Sequence, residues 1–228
     1  MQDSTTAMTG SANRLTITYR DLADLVLPVL PHTDDSGSLP VLSYVKFETL
    51  GGYLTALATD RYTIACSRMK VDDDVHFNVL IPRHELKAIL AMFKPRRGVV
   101  DQLTLAATDA CTLQVEGPGS LFSNAIIEYR LGDGEFPKIT NIFSRIGTDI
   151  TTDGHVALNP HLLAKFQLAA RLNDAIQVHV GTPSRPVFIT SGDHFMGAIM
   201  PVRKSEEPDW SAIFPTVVKG ELAAEAAR

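Results

Sequence analysis

The sequence predicts an α+β fold made of repeated units, each with a short strand, a helix and a strand hairpin or meander. The first observation is an internal repeat: Leu54–Asp60 reads Leu-Thr-Ala-Leu-Ala-Thr-Asp and returns as Leu-Thr-Leu-Ala-Ala-Thr-Asp at Leu103–Asp109. Both copies are apolar, contain threonine and end in a Thr-Asp turn, which is typical of strands. A repeat of this kind indicates an architecture built from similar modules.

A second repeat surrounds the start of two predicted helices. Val79–Pro82 is followed by Lys87, and Val156–Pro160 is followed by Lys165, each lysine lying five residues after the proline. Proline suits the first position of a helix because its missing N–H would have no partner there. Each copy therefore predicts a short strand that leads directly into a helix.

The repeats divide the chain into a first unit (about Leu15–Met69), a second unit (about His76–Phe143) and a third unit (about His155–Lys204). One helix is predicted in each unit: Tyr19–Leu27, Pro82–Lys94 and Pro160–Leu172. The predicted strands are Tyr44–Thr49, Leu54–Ser67, Leu103–Ala107, Thr112–Glu116, Ser120–Tyr129, Ala175–Val180, Val187–Thr190 and His194–Pro201. We expect the helices to cover one face of the sheet.

The domain organisation follows from these units. Residues 1–13 are predicted to be a disordered leader, residues 14–146 a domain of two units, residues 155–204 half a domain and residues 205–228 a flexible polar tail. The linker Gly147–Gly154 separates the second unit from the third.

Composition limits the classes of function. The chain has 228 residues and is 45% hydrophobic, which is enough to bury a core. The net charge is −5, so any contact with nucleic acid requires a local basic face. Cys66 and Cys111 are too few for a disulfide scaffold or a four-thiolate zinc site, and both are expected to be small buried residues in a reducing compartment. No apolar stretch approaches the roughly 20 residues of a membrane span, and we expect a cytoplasmic protein.

Basic residues follow the predicted helices. In the second helix Arg83, Lys87 and Lys94 lie within about 40° of one another, away from the apolar stripe. Such a face can contact phosphates without identifying bases, although an ordinary solvated helix face gives the same pattern. The first helix carries Arg20 beside the acidic Asp21 and Asp24, which weakens the DNA interpretation.

Enzyme chemistry has no support in the sequence. Asp72–Asp74 is interpreted as a charged loop, Gly117–Gly119 as a turn and Ser191–His194 as a hairpin turn, and the seven histidines lack the spacing of metal ligands. We therefore predict that the chain is not an enzyme and has neither a metal nor a cofactor.

Several short motifs resemble the bacterial beta sliding clamp, the processivity subunit of the replicative DNA polymerase. Phe47–Thr49, Leu54–Asp60 and Val79–Arg83 resemble its middle domain. Gly132–Pro137 is similar to the Gly-x-Phe-Pro segment that closes that domain, and Met200–Arg203 is similar to the Met-Pro-Met-Arg end of the last domain. The resemblance covers about Leu15–Lys204. It implies a clamp-like middle domain at residues 14–146 and the second half of the last domain at residues 155–204.

The resemblance implies a DNA clamp fold whose helices line a central hole and face double-stranded DNA, with contacts to the backbone alone. The residues expected to face DNA are Arg20, Arg83, Lys87, Lys94, Arg96, Arg97, His161, Lys165 and Arg171. A family ring contains a dozen units, so chains of three units would form a homo-oligomer of four. A clamp-like module that binds peptides without encircling DNA, as a regulator or decoy, is the alternative.

The resemblance also implies a pocket for short linear peptides of DNA polymerases and other replication proteins. The expected walls are Leu42, Thr59, Arg61, Tyr62, Thr63 and Ile64 on one side and Asn159, Leu162, Pro186, Met200, Pro201, Val202 and Arg203 on the other. Apolar side chains there would bury a partner's leucine or phenylalanine. The family has Gly-His-Arg where this chain has Arg61–Thr63, so the pocket shape is expected to differ.

Two further segments bear on peptide docking. Gln102–Ala106 has the sequence Gln-Leu-Thr-Leu-Ala, which resembles the peptide motif that clamps bind, but it coincides with a predicted strand. Pro208–Phe214 is apolar and lies outside the repeats. It is the better candidate for a ligand segment that docks on a neighbour or on the chain's own pocket.

Overall fold

The described part of the chain contains eleven strands arranged in two antiparallel sheets, with helices packed against them. The computed structural model describes residues 13–72, 75–95, 101–108, 110–119, 121, 124–143, 156–172, 175–181 and 185–202. The strands are β1 (Arg14–Thr18), β2 (Tyr44–Leu50), β3 (Tyr53–Thr59), β4 (Thr63–Lys70), β5 (Asn78–Pro82), β6 (Gln102–Ala107), β7 (Thr112–Gly117), β8 (Ala125–Arg130), β9 (Gln177–His179), β10 (Val187–Ser191) and β11 (Phe195–Ile199). The helices are α1 (Tyr19–Val26), α2 (Arg83–Met92), α3 (Thr140–Phe143) and α4 (Pro160–Leu163), and a 3₁₀ turn, Ala164–Leu168, continues α4.

The first two units exchange strands. The smaller sheet has the order β1-β6-β7-β8, so the first strand of the first unit completes the sheet of the second. The larger sheet has the order β5-β2-β3-β4-β11-β10-β9, so β5 of the second unit pairs with β2 of the first. This reciprocal pairing ties the two units into one body.

The third unit extends the larger sheet. Its β11 pairs antiparallel with β4 of the first unit, with Phe195 opposite Ser67 and Ile199 opposite Thr63. Seven strands from three units therefore form one continuous sheet. The junction between the first and third units is a backbone ladder, which gives it a defined register.

The two faces of the larger sheet differ. On the helix face, side chains such as Phe47, Leu54 and Ile189 pack with Leu25 of α1 and Leu86 of α2 in the main core. On the opposite side, which we call the outer face, a second cluster contains Leu57, Ile64, Phe136, Ile139, Phe188 and Ala198. Because alternate residues of a strand point to opposite faces, β3, β4, β10 and β11 each contribute to both clusters. The prediction that the helices of the three units cover one face is confirmed, whereas the additional α3 packs on the outer face.

Two predicted elements were wrong in extent. The predicted strand Leu54–Ser67 is two strands, since Asp60 accepts hydrogen bonds from the backbone nitrogens of Tyr62 (3.0 Å) and Thr63 (2.6 Å) and closes a turn. The predicted helix Pro160–Leu172 is shorter, with one α-helical turn and then the 3₁₀ turn. The tighter 3₁₀ winding aligns residues three apart, which brings Phe166 and Ala169 into the main core together.

Other expectations also changed. The predicted strand Ser120–Tyr129 begins only at Ala125, and α3 was not predicted. The two copies of the Leu-Thr repeat lie in β3 and β6, which hold different positions in their units, so the repeat reflects similar burial and not equivalent topology. Cys111 is exposed in a turn, contrary to expectation, whereas half-buried Cys66 packs with the outer cluster. Gln102–Ala106 is indeed a strand, and Ser191–His194 contains the turn between β10 and β11.

Candidate functional site

Three helices lie side by side on the helix face. The Tyr19 hydroxyl of α1 donates a hydrogen bond to the Leu90 carbonyl of α2 at 3.0 Å. Arg171 follows the 3₁₀ turn. Its guanidinium lies 2.8 Å from the carboxylate of Asp24 on the other side of α1. Helix α1 therefore lies between α2 and the helical segment of the third unit.

Four of the basic residues predicted to face DNA are well exposed on these helices or directly after them. Lys87, Lys94 and His161 are exposed. The Arg20 side chain is 81% exposed and lies 3.8 Å from Asp24, too far for a strong hydrogen bond. Their charges can interact with solvent or with a polyanion.

Three other predicted cations are paired with carboxylates of this chain. Arg83 lies 3.1 Å from Asp35, Arg171 pairs with Asp24, and Lys165 pairs with Asp60. An ion pair reduces the charge that a side chain presents to phosphate, so the helix face is less basic than the sequence indicated. Lys165, which was predicted to face DNA, directs its ammonium to Asp60 at the junction between the first and third units. Arg96 and Arg97 lie outside the described residues.

The outer face holds an apolar surface at the junction of the first and third units. Tyr62 is 58% exposed, Met200 44% and Val202 48%, so three large apolar side chains face solvent at this junction. The Met200 nitrogen donates to the Tyr62 carbonyl at 2.9 Å, and the Val202 nitrogen donates to the Ala157 carbonyl at 2.8 Å. We call Tyr62, Met200 and Val202 the docking patch.

The remaining predicted pocket residues lie in different environments, and Leu162 packs against the main core on the helix face. Leu42, Thr59, Thr63 and Ile64 are buried; Asn159, Leu162, Pro186 and Pro201 are half-buried; Arg61 is exposed. The Thr59 hydroxyl donates to the Thr63 carbonyl at 2.9 Å, and the Asn159 side chain caps α4 by accepting from the His161 nitrogen at 2.9 Å. These two side chains therefore support the backbone. Arg203 lies outside the described residues.

The sequence analysis missed one wall of the outer cluster. Phe136 and Ile139, which follow β8, are buried against Ile64 and Leu57, with Ile142 and Phe143 packed beside them. The signal was present, because Phe136, Ile139 and Ile142 are spaced by three residues. Phe136 and Ile139 therefore share the outer cluster with Ile64, which is one of the predicted pocket residues.

The turn that carries Tyr62 is tightly bonded. Besides its two backbone bonds, Asp60 accepts a bond from the Thr63 hydroxyl at 2.9 Å, while its second oxygen accepts from Lys165. Arg61 has a φ of +80°, a conformation that glycine adopts more easily, and its guanidinium lies 3.2 Å from Asp34. The turn is thus anchored to the first unit by Asp34 and to the third by Lys165.

A buried histidine lies beneath this turn. Nδ1 of His32 is 2.9 Å from the Thr63 hydroxyl, and its ring lies 4.5 Å from the Phe166 ring. Burial lowers the pKa of His32 to about 3, so the ring is neutral near pH 7. For Asp60, burial opposes ionisation, but the bonds from Lys165 and Thr63 outweigh it and lower the pKa. The junction therefore contains one ion pair and a neutral histidine.

The described residues show little that favours catalysis. Within them, no group of three or more His, Cys, Asp or Glu side chains could hold a metal ion. A cleft of about 610 Å³ lies on the outer face between β2, β5 and the loop Leu131–Ile139, and it is lined by both apolar and paired polar groups. Among the described helices, none is long and apolar enough to cross a membrane.

Comparison with known proteins identifies the fold. No family model and no curated protein matches the chain. Among solved structures, a protein classed as a DNA polymerase III beta subunit from Eubacterium rectale is 15% identical with a TM-score of 0.68, covering 89% of this chain and 68% of that one. The DNA polymerase sliding clamp from Bacillus subtilis is 15% identical with a TM-score of 0.64, covering 86% of this chain and 66% of that one.

A third neighbour is the sliding clamp from Bartonella birtlesii bound to griselimycin, which is 16% identical with a TM-score of 0.62, covering 89% of this chain and 68% of that one. The chain therefore has the sliding-clamp fold and spans about two thirds of the length of these neighbours. The resemblance to bacterial beta clamps that the motifs indicated is confirmed as a likeness of fold.

Proposed function

We propose that the chain is a sliding-clamp-like processivity factor that lies along or encircles double-stranded DNA and docks short peptides of replication proteins. One observation carries the proposal: the exposed cations and the docking patch lie on opposite faces of one continuous sheet. Lys87 and Lys94 are on the helix face. Met200 is two residues after Ala198, which belongs to the outer cluster, so both side chains point to the outer face. A protein built this way binds DNA on one side while holding a partner on the other.

On the helix face, the contact with DNA is weak and independent of sequence. Few of the cations are free of carboxylate partners, and each phosphate contact contributes mainly by releasing a counterion. Weak backbone contact suits a protein that slides, provided that topology retains it on DNA.

Retention on DNA requires several copies of the chain. Within the described residues, β8 and β9 each pair with only one strand and are the last strands at one end of their sheets. Both carry exposed apolar side chains, Ile126 on β8 (64% exposed) and Val178 on β9 (48% exposed). Unpaired apolar edges favour pairing with another copy, and β8 of one copy paired with β9 of the next would close a ring.

The charge pattern also supports a second candidate, a peptide-binding module that does not encircle DNA. The observation in its favour is that Arg83, Lys165 and Arg171 are paired with this chain's own carboxylates. Native mass spectrometry of the full chain separates the two. A mass of about four chains supports the ring, whereas a monomer without affinity for duplex DNA would leave only the module.

Paired charge and patch variants test the two faces separately. Lys87→Glu with Lys94→Glu should weaken binding to a duplex oligonucleotide at low salt several-fold and leave peptide binding unchanged. The control is Lys70→Glu with Lys138→Glu, which makes the same charge change at exposed positions outside the helices. Equal loss in both double variants would show that only net charge matters.

The peptide side uses a fluorescein-labelled peptide containing Gln-Leu-Thr-Leu-Ala, measured by anisotropy. Met200→Glu should lower its affinity at least about tenfold, because a carboxylate would be desolvated under the ligand. Leu50→Glu, at an exposed apolar residue far along β2, is the matched control and should bind as the wild type does. Unchanged binding to the Met200 variant would rule out the docking patch as the peptide site.

A further inference from the structure

The docking patch has a candidate occupant in this chain. The described part of the chain ends at Val202, which is itself part of the patch and is held there by its bond to Ala157. The next 26 residues lie outside the described part, and their sequence contains one aromatic and apolar segment, Pro208–Phe214. Pro208 is six residues beyond Val202, which corresponds to at most about 22 Å of extended chain.

We propose that Pro208–Phe214 docks intramolecularly on the docking patch, as a tethered ligand that external peptides must displace. The inference rests on the proposed function, since it names a regulator of the same site. The expected contacts are Trp210, Ile213 and Phe214 against Tyr62, Met200 and Val202.

The length of chain between patch and segment permits this arrangement. Trp210 is eight residues beyond Val202, which corresponds to at most about 29 Å of extended chain. Tyr62 and Met200 are joined by a backbone hydrogen bond, so the patch is only about two strand spacings wide, roughly 10 Å. The linker can therefore turn back over the patch without strain.

Tethering makes a weak intrinsic affinity sufficient. A short flexible linker holds a ligand at an effective concentration of the order of millimolar. A segment that would bind in the millimolar range as a free peptide then occupies the patch about half of the time. Each large apolar side chain that leaves water adds to that affinity.

Charge complementarity favours the same arrangement. Glu206, Glu207 and Asp209 flank the apolar side chains of the segment. The patch is flanked by exposed Arg185, which precedes β10 at the sheet end where Met200 lies, and by exposed Arg61, whose charge is shared with Asp34. The acidic flank would meet a basic rim, which orients the segment on the patch.

Trp210 is the only tryptophan of the chain, so its fluorescence reports the segment directly. In the full-length protein we expect a blue-shifted emission and reduced acrylamide quenching, compared with the same chain in urea. Met200→Glu should raise the quenching toward the unfolded value, and Leu50→Glu should leave it unchanged. A wild-type tryptophan as accessible as in urea, or one equally shielded in the Met200 variant, would overturn the proposal.

A second pair of measurements covers the possibility that Met200→Glu fails to fold. Ile213→Ser with Phe214→Ser changes only the segment and should also expose Trp210, with an unchanged far-ultraviolet spectrum. The wild-type emission should stay constant on dilution. A blue shift that disappears on dilution would mean that the segment binds a second copy, which contradicts intramolecular docking.

Peptide binding distinguishes this inference from the proposed function. In the full-length triple variant Trp210→Ser, Ile213→Ser, Phe214→Ser, the labelled Gln-Leu-Thr-Leu-Ala peptide should bind about twofold more tightly, the factor expected if the patch of the wild type is free about half of the time. If the peptide binds wild type and triple variant equally and Trp210 is exposed, the inference fails and the proposed function stands. If Trp210 is shielded but the peptide binds neither protein, the proposed function fails alone.

Discussion

Lys165 of the third unit donates a hydrogen bond to Asp60 of the first unit, at the base of the turn that presents Tyr62. The contact crosses the junction of the large sheet and joins the helix face to the loop beside the docking patch. The Asp60 side chain is 7% exposed and that of Lys165 is 26% exposed, so water screens the pair only in part. Because the screening is partial, this ion pair should be stronger than an exposed ion pair and weaker than a fully buried one.

Removing Asp60 should destabilise the protein more than removing Lys165. Lys165→Met keeps much of the aliphatic volume and loses one bond, at a cost on the order of 2 kcal/mol. Asp60→Ala loses that bond and three more from the turn, so its cost should be larger. Urea unfolding of both variants and of the double variant measures this; equal costs for the two single variants would contradict the role of Asp60 in the turn.

The free energy of unfolding should decrease as the pH is lowered, because of His32. Its pKa is lowered from 6.5 to about 3 by burial, so between these values the unfolded chain takes up a proton that the folded chain does not. Lowering the pH therefore favours unfolding, by about 2–3 kcal/mol between about pH 7 and about pH 4.5. Denaturant titrations over this range measure the slope.

The matching variants isolate that residue. His32→Asn should lower stability at neutral pH but flatten the slope, whereas His84→Asn, at a 79% exposed side chain, should keep it. The pKa of Asp60 is lowered in the folded protein. Its ionised form therefore stabilises the fold above the pKa of the unfolded chain, near 3.8, and this stabilisation is lost only at lower pH. An unchanged slope in the His32 variant would mean that other groups cause the acid sensitivity.

Glycine should be tolerated better than alanine at residue 61. Arg61 has a positive φ, which costs a residue with a side chain about 1–2 kcal/mol, and its exposed pair with Asp34 returns less than about 1 kcal/mol. Arg61→Gly relieves the strain, whereas Arg61→Ala keeps it and loses the pair. Thermal unfolding should rank the glycine variant above the alanine variant by about 1 kcal/mol; the reverse order would show that the turn has another backbone conformation.

A methyl group at residue 197 should disturb the packing of the third unit. A Cβ on Gly197 of β11 would lie 2.4 Å from the Phe166 ring and 2.9 Å from the Ile64 carbonyl oxygen. Gly197→Ala should therefore cost about 1–3 kcal/mol. Adding Phe166→Leu should recover part of that cost in a double-mutant cycle, because the smaller side chain leaves room; strictly additive costs would mean that the ring does not oppose the methyl group.

Local patterns predicted much of the fold. The alternation in Thr112–Glu116 and the stripe of Leu86, Ile89 and Phe93 indicated β7 and α2 within two residues of their observed ends. The docking patch was predicted in part, since Tyr62, Met200 and Val202 came from short motifs. The place of Phe136 and Ile139 in the outer cluster was not predicted. The Gly-x-Phe-Pro motif identified the segment, but it did not indicate that the segment packs on Leu57 and Ile64.

The sequence by itself determined the class of fold, the unit structure and the apolar faces, because these depend on neighbouring residues and on the period of their burial. Only the tertiary structure decided that β11 pairs with β4, that Asp24, Asp35 and Asp60 neutralise basic side chains far along the chain, and that Asp60 breaks one predicted strand in two. These outcomes depend on residues distant in sequence becoming neighbours in space, where the geometry of a contact sets its strength and no local pattern records it.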